Sequence, residues 1–302
     1  MNLLCTNSDI EEHMDPFAPI AKKFEILYLD QPYDLLIASS EFQVSQNGRT
    51  FRLQEGDRVV FFLFRAPLER PADLADPVGC IESLQLLKEA CSIVGVIEHN
   101  RIENWERAYS KSALIRLAKR FPGLVPPVVV LDGTYCETVR KRDVDRIVKS
   151  GYGIRRPVEG LYPKASLIPA NEEFTASRRY RYVIQDYVNP ERELRVYVTR
   201  RAGRYEVTII NTPVASGDCP DWRENTQMED LVCFPVEDSG LRDRSVQLCA
   251  ELDLEYVCFD FLQKGENTYL LDVNPHGSWE WLPANCRNKV NDQVEAWLLS
   301  LT

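Results

Sequence analysis

The chain has 302 residues, long enough for several small lobes with shared cores, and its formal net charge of −10, from 36 Lys and Arg against 46 Asp and Glu, argues against a nucleic-acid binder. Its hydrophobic share of 44% and charged share of 27% are those of an ordinary globular chain, and no run of about 18 apolar residues occurs that would span a membrane. Met1-Asn-Leu-Leu-Cys-Thr lacks a basic segment leading into an apolar one, so no secretion signal is expected.

Nine cysteines, Cys5, Cys80, Cys91, Cys136, Cys219, Cys233, Cys249, Cys258 and Cys286, form no Cys-x-x-Cys pair. Their odd number and apolar settings predict reduced, buried thiols and a cytoplasmic location. His13, His99 and His276 are too few and too scattered for a zinc site.

Residues 1 to about 98 carry apolar runs at Leu3–Cys5, Phe24–Leu29, Leu35–Ala38 and Val59–Phe64, with a hairpin cue at Gln46-Asn47-Gly48-Arg49. A helix is predicted from Ile81 to Val94, with Leu84, Leu87, Ala90 and Cys91 on one face. The stretch reads as a small α/β lobe. Next, Asn104-Trp-Glu-Arg-Ala-Tyr-Ser-Lys111 leads into a helix with apolar positions Ala113, Leu114, Leu117, Ala118 and Phe121, for which Ser110 is an N-cap candidate. A lysine at a helix start opposes the macrodipole, which becomes sensible if an anion docks there; a plain surface lysine is the alternative.

Asp145-Arg-Ile-Val-Lys-Ser150 puts Lys149 at the end of a short strand, and Gly151, Gly153 and Gly160 follow without a dense glycine run. Tyr182-Val-Ile-Gln-Asp-Tyr-Val188 is a strand with a polar interruption. From Arg140 through Arg204 there are 16 Lys and Arg against 8 Asp and Glu, a basic middle between acidic flanks that suits either an anionic ligand or a solvated surface. Arg195–Thr199 and Tyr205–Ile210 are predicted to pair about Gly203. Glu193 and Arg195 share a strand face, as ligand groups or as an exposed ion pair. Asp221-Trp-Arg-Glu-Asn225 reads as a loop, Leu241–Leu252 as a helix, and Val290, Val294, Trp297, Leu298 and Leu301 as the buried stripe of a closing helix.

The most informative stretch runs from Cys258 to Trp281. Val257, Phe259 and Phe261 alternate with polar positions up to Gly265; Tyr269, Leu271 and Val273 then alternate with Leu270, Asp272 and Asn274. A turn at Gly265–Glu266 sets Asp260 across from Asp272, with Asn274 on the same face. Two facing carboxylates repel unless a cation lies between them, and magnesium suits one or two carboxylates whose shell is completed by phosphates. The alternative is a solvated sheet face, against which Asn274-Pro275-His276-Gly277, followed by Trp279 and Trp281, weighs.

Asp260 with Asp272-Val-Asn274-Pro275 resembles the metal signature of ATP-grasp carboxylate–amine ligases, and Asn274 through Trp281 is similar to the segment of their microviridin-type (graspetide) peptide-macrocyclising branch; the ribosomal-protein glutamate ligases share the metal part. The resemblance covers about residues 100 to 282 and implies a three-lobed α/β (α+β) ATP-grasp fold: an N-terminal lobe at 1–98, a central lobe at 99–186 and a C-terminal lobe at 187–302, with ATP between the last two. It further implies that Lys111 and Lys149 contact nucleotide phosphates and that the hinge at Gln185, Asp186, Tyr187 and Val188 binds adenine. Glu193 would bind ribose, Asp260, Asp272 and Asn274 would hold Mg2+ (Mn2+ being the alternative ion), and Arg195 and Arg223 would stabilise charge in transfer. Asp186 and Asp272 stand where the family usually has Glu.

The implied activity is ATP-dependent activation of a carboxylate as an acylphosphate and its joining to an amine or hydroxyl, foremost on a ribosomally made peptide. The alternatives are a ligase of small free amino acids or acids, and a nucleotide-binding regulatory protein impaired in catalysis. The partners expected are peptide or small-molecule carboxylate and amine substrates, with no nucleic acid and no membrane; a homodimer is one assembly open to it.

Overall fold

The structure is a computed structural model that describes residues 1–6, 20, 22–62, 77–110, 112–131, 138–139, 143–150, 166–175, 182–214 and 232–302. Strands β1 (Asn2–Thr6) and β2 (Glu25–Tyr28) open the chain. A meander of β3 (Asp34–Ile37), β4 (Glu41–Gln46) and β5 (Arg49–Gln54) comes next. Its second turn is the predicted Asn47-Gly48, whose φ values of 51° and 76° suit a tight hairpin that only such residues enter at low cost. Strand β6 (Arg58–Phe61), helix α1 (Pro77–Val94) and β7 (Ile97–His99) complete a parallel sheet ordered β2-β1-β6-β7.

This sheet is apolar on both faces because both are covered. Leu3, Cys5, Val59 and Phe61 pack with Leu84, Leu87, Ala90 and Cys91 of α1. Leu4, Val60 and Phe62 point the other way, into a core that they share with the carboxyl-terminal part of the chain.

Two short helices follow, α2 (Ile102–Tyr109) and α3 (Ser112–Arg120). The sequence led into one helix here; the chain breaks into two because Ser110 turns to extended backbone, and its hydroxyl accepts from Ser112 N–H at 3.4 Å. A second sheet contains β8 (Val128–Leu131), β10 (Arg146–Ser150), β11 (Ser166–Ile168) and β13 (Tyr182–Asp186), antiparallel in the order β11-β10-β13-β8, while β9 (Thr138–Val139) pairs with β12 (Phe174–Thr175).

The largest sheet is antiparallel: β14 (Arg192–Arg201), β15 (Arg204–Thr212), β16 (Phe234–Val236), β17 (Tyr256–Lys264) and β18 (Asn267–Asn274), ordered β16-β15-β14-β17-β18. The predicted hairpin about Gly203 turns through Ala202 and Gly203, both at positive φ. Helix α4 (Ser239–Glu251) starts where the Asp238 carboxylate caps Leu241 N–H at 2.8 Å. With α3 it covers one sheet face, burying Leu194, Val196, Val198, Val257, Phe259, Phe261, Leu270 and Val273. Helix α5 (Ala284–Ser300) covers half of the other, through the predicted stripe of Val290, Val294, Trp297 and Leu298, and Leu301 just beyond it.

Trp297 joins the two ends of the chain, since its ring lies 5.5 Å from Phe62 and 5.9 Å from Tyr256 and is fully buried. Six described cysteines are free and buried, as expected. No helix of the described residues is long and apolar enough to cross a membrane. Trp297→Ala is expected to lower stability by about 3–5 kcal/mol, against under about 0.5 kcal/mol for Leu299→Ala, whose side chain is exposed; urea unfolding of both variants measures the difference.

Candidate functional site

The half of the large sheet that no helix covers among the described residues is polar. Register places Arg195 of β14 beside Asp260 of β17, Asp260 beside Asp272 of β18, and Cys258 beside Asn274. Glu193 and Tyr197 lie on the same face of β14, two residues to either side of Arg195. Asp260, Asp272 and Asn274 are thus gathered as the sequence predicted, but by a route that strict alternation misses. The hairpin turns at Gly265-Glu266 with Lys264 opposite Asn267, and that register alone would set Leu271 against Asp260. A bulge between Asp260 and Phe261 absorbs one residue of β18, turns Leu270 into the core and brings Asp272 across from Asp260. At the bulge, Leu270 N–H bonds Leu124 O at 2.7 Å, tying this edge to the segment before β8.

Asp260 is not an unpaired carboxylate, contrary to the repulsion argument from sequence. Its Oδ1 lies 3.5 Å from Arg195 Nη1, and its Oδ2 accepts from Asn274 Nδ2 at 2.6 Å. Arg195 thereby pairs across strands with Asp260. Asp272 Oδ1 accepts from Val273 N–H at 2.9 Å. Asn274, having spent its amide nitrogen on Asp260, presents its carbonyl oxygen as the remaining acceptor.

Among the described residues no three His, Cys, Asp or Glu side chains cluster as a complete metal cage. Two carboxylates and one amide oxygen do fit an ion whose other positions are filled by phosphate oxygens and water, as magnesium prefers, and they do not fit zinc.

The floor beside this cluster is built from the loop after β18. Ser278 O accepts from Arg195 Nη2 at 3.2 Å, Tyr197 OH at 3.1 Å and Trp281 Nε1 at 3.2 Å, and Gly277 O accepts from Tyr256 OH. Burial pushes both tyrosine hydroxyls well above their ordinary range, so they remain donors. Burial likewise pushes the Cys258 thiol up to about 12, keeping it inert. Burial also works against the Arg195 charge, but Cys258, Tyr197 and Asp260 around it outweigh that and hold its guanidinium above the ordinary arginine range.

Gly277 is there because nothing larger fits. A Cβ at this position would come within 2.2 Å of Cys258 Cβ and 3.3 Å of Arg195 Nη2. Tyr197, Tyr256 and Gly277 were missed from sequence; the signal for the tyrosines was their even spacing on the strands of Arg195 and Asp260. Trp279, by contrast, is a core residue, 2% exposed and bonded through Nε1 to Asn291 Oδ1 at 2.7 Å. It does not line the site.

A second group lies on β10 and β13. Ile147 pairs with Gln185 and Lys149 with Val183, so Lys149 and Gln185 share one sheet face. Gln185 is 2% exposed, and neither its Oε1 nor its Nε2 has a hydrogen-bond partner among the described residues. Asp186 N–H bonds Pro127 O at 2.9 Å and Tyr187 N–H bonds Asp145 O at 2.8 Å, which fixes the start of the hinge while Tyr187 and Val188 stay half-buried. Burial, with Glu193 and Asp145 adding to it, raises the Tyr187 hydroxyl, so the hinge lies within electrostatic reach of Glu193. Lys111 and Arg223, and Gly151, Gly153 and Gly160, lie outside the described residues.

No known protein family matches the chain by sequence, and no curated protein does either. Solved structures match it by fold. A Chryseobacterium gregarium RiPP-associated ATP-grasp ligase, solved with ADP and a leader and core peptide, superposes with a TM-score of 0.67 over 100% of this chain and 97% of its own, at 12% identity. The chain has the ATP-grasp fold. The ATP-grasp ligase PsnB, solved with a phosphomimetic variant of its minimal precursor, Mg and ADP, gives 0.65 over 99% and 98% of the two chains at 12% identity. D-alanyl-alanine synthetase A from Vibrio cholerae gives 0.60 over 99% and 96%, again at 12% identity.

Gly277→Ala is expected to destabilise the protein by about 2–3 kcal/mol through overpacking. Gly240→Ala, in α4 with its nearest neighbour atom at 3.6 Å, should be neutral or stabilising. Thermal unfolding of the two variants measures the contrast.

Proposed function

We propose that this chain is an ATP-dependent ligase that activates a carboxylate as an acylphosphate and joins it to an amine or hydroxyl of a peptide. The observation that carries this reading is the gathering of Asp260, Asp272, Asn274 and Arg195 on one sheet face. It is supported by the fold shared with ligases solved with ADP, Mg and precursor peptides. In this reading the lobes are 1–98, 99–186 and 187–302, and the nucleotide lies between the second and third.

Lys149, with Lys111, offsets phosphate charge. The buried Gln185 amide and the backbone of Asp186–Val188 take the base, and Glu193 the ribose. Asp260, Asp272 and Asn274 would hold Mg2+, or Mn2+ in its place, and the ion would supply positive charge to offset that of the nucleotide phosphates. A substrate carboxylate oxygen attacks the γ-phosphorus and ADP leaves. The amine or hydroxyl then attacks the acyl carbon, loses its proton and expels phosphate. Arg195, assisted by Arg223, stabilises the negative charge that develops in both steps. No enzyme-bound covalent intermediate is needed, and the acylphosphate must be kept from water.

The likeness to D-alanyl-alanine synthetase A favours a second reading, with free amino acids or small acids as substrates. Intact-mass analysis of peptides and of amino acids incubated with the protein, ATP and Mg2+ separates the two. A mass loss of one water per bond on a peptide supports the first reading, and a condensed amino acid the second. Nucleotide binding without turnover in the presence of any acceptor would leave a regulatory protein.

Asp260→Asn removes one metal-directed charge at constant volume and is expected to lower turnover by about a hundredfold or more while the far-ultraviolet circular dichroism stays unchanged. Lys149→Ala should weaken ADP binding by about ten- to a hundredfold, measured by calorimetry; unchanged affinity would remove Lys149 from the site.

A further inference from the structure

Trp279 and Trp281 stand two residues apart and do different things. Trp279 is packed in the core. Trp281 is half-buried at its margin, and its ring centroid lies 5.2 Å from the Arg195 guanidinium carbon, with the Tyr197 ring at 5.7 Å. Arg195 and Trp281 both donate to the same carbonyl, Ser278 O, each at 3.2 Å. Gly277, pressed against Cys258 and Arg195, fixes where that carbonyl stands. The guanidinium is therefore held by a ring face and a backbone oxygen, both on the loop that follows the metal hairpin.

The consequence lies at Asp260. A guanidinium beside a carboxylate closes to about 2.7–2.9 Å when nothing opposes it, yet Arg195 Nη1 stands 3.5 Å from Asp260 Oδ1. Closer approach would spend on arginine the oxygen lone pairs that a metal needs, and would set a fixed positive charge against the ion.

We propose that Trp281 is a positioning residue that holds Arg195 back from Asp260 by attraction to its ring face and so keeps the Asp260 carboxylate available to the divalent ion. The inference rests on the metal and nucleotide reading above. It assigns to Trp281 no contact with substrate.

The test is Mn2+ binding followed by electron paramagnetic resonance in the presence of saturating ADP, on wild type, Trp281→Leu and Trp281→Phe, with each variant's melting temperature recorded. Trp281→Leu removes the ring and is expected to weaken Mn2+ binding about five- to tenfold, with a parallel rise in the Mg2+ concentration that half-saturates turnover and little change in the KM for ATP. Trp281→Phe keeps a ring face and loses only the indole N–H, so it should stay within about twofold of wild type. A Leu variant with wild-type Mn2+ affinity overturns the proposal, and so does a Phe variant that falls as far as Leu, because the ring would then not be the operative feature. Wild-type protein that binds ADP but no Mn2+ overturns both this proposal and the metal reading. Loss of melting temperature in Leu alone is resolved by Arg195→Gln: with the guanidinium gone, adding Trp281→Leu should change Mn2+ affinity no further, whereas an equal additional loss shows a merely structural tryptophan and overturns the proposal.

Discussion

Strand register is the constraint on which the site depends. Side chains alternate between sheet faces, so a slip of one residue moves a whole strand's polar set into the core. Arg195, Asp260 and Asp272 come from three neighbouring strands and meet only because two registers agree. The β14–β17 register is held by Leu194, Val196 and Val198 opposite Phe261, Phe259 and Val257, all buried on the far face. The β17–β18 register needs the bulge as well, and without it Asp272 would face the core. Apolar packing on one side of the sheet thus determines the polar geometry on the other.

The same sheet explains why the two ends of the chain belong together. One half of its polar-side face is closed by α5 and by Leu4, Val60 and Phe62 from the first sheet. Tyr197, Tyr256 and Cys258 lie at the boundary between this core and the open half. The hydroxyls of Tyr256 and Tyr197 reach out of the core to the Gly277 and Ser278 carbonyls, so rigid burial on one side fixes the loop on the other. A site on such a support loses little freedom when a ligand arrives.

Much of this was legible in the chain, for reasons that differ by element. The turns at Asn47-Gly48 and Gly265 could be read because few residues accept positive φ, and the stripe of Val290, Val294, Trp297 and Leu298 because a half-covered helix must alternate. Asp260, Asp272 and Asn274 could be read as one cluster because a turn at Gly265 and strand alternation bring them to one sheet face. The bulge at Leu270-Leu271 could not, since the run of leucines offers apolar side chains to either face. Nor could the partner of Asp260: pairing between β14 and β17 spans some sixty-five residues, and no local pattern reports it. The break between α2 and α3 was hidden for another reason, because Ser110 serves equally as the end of one helix and the cap of the next. Trp279, which weighed against a solvated sheet face, is buried in the core.

Buried glutamines supply a comparison within the molecule. Gln46 is 5% exposed, and its amide is fully used: Nε2 donates to Tyr28 O at 2.8 Å and Oε1 accepts from Tyr28 N–H at 3.0 Å, bracing the sheet. Gln293, also 5% exposed, donates from Nε2 to Tyr197 O, Thr199 Oγ1 and Glu206 O, and holds α5 to the large sheet. Gln185 is more deeply buried than either and does neither job. Neither end of its amide has a partner among the described residues, and a buried polar group left unpaired costs on the order of 1–3 kcal/mol. An adenine edge offers a donor and an acceptor side by side, the complement of a carboxamide. In the proposed reading, a base entering beside Lys149 would supply the partners that the Gln185 amide lacks among the described residues.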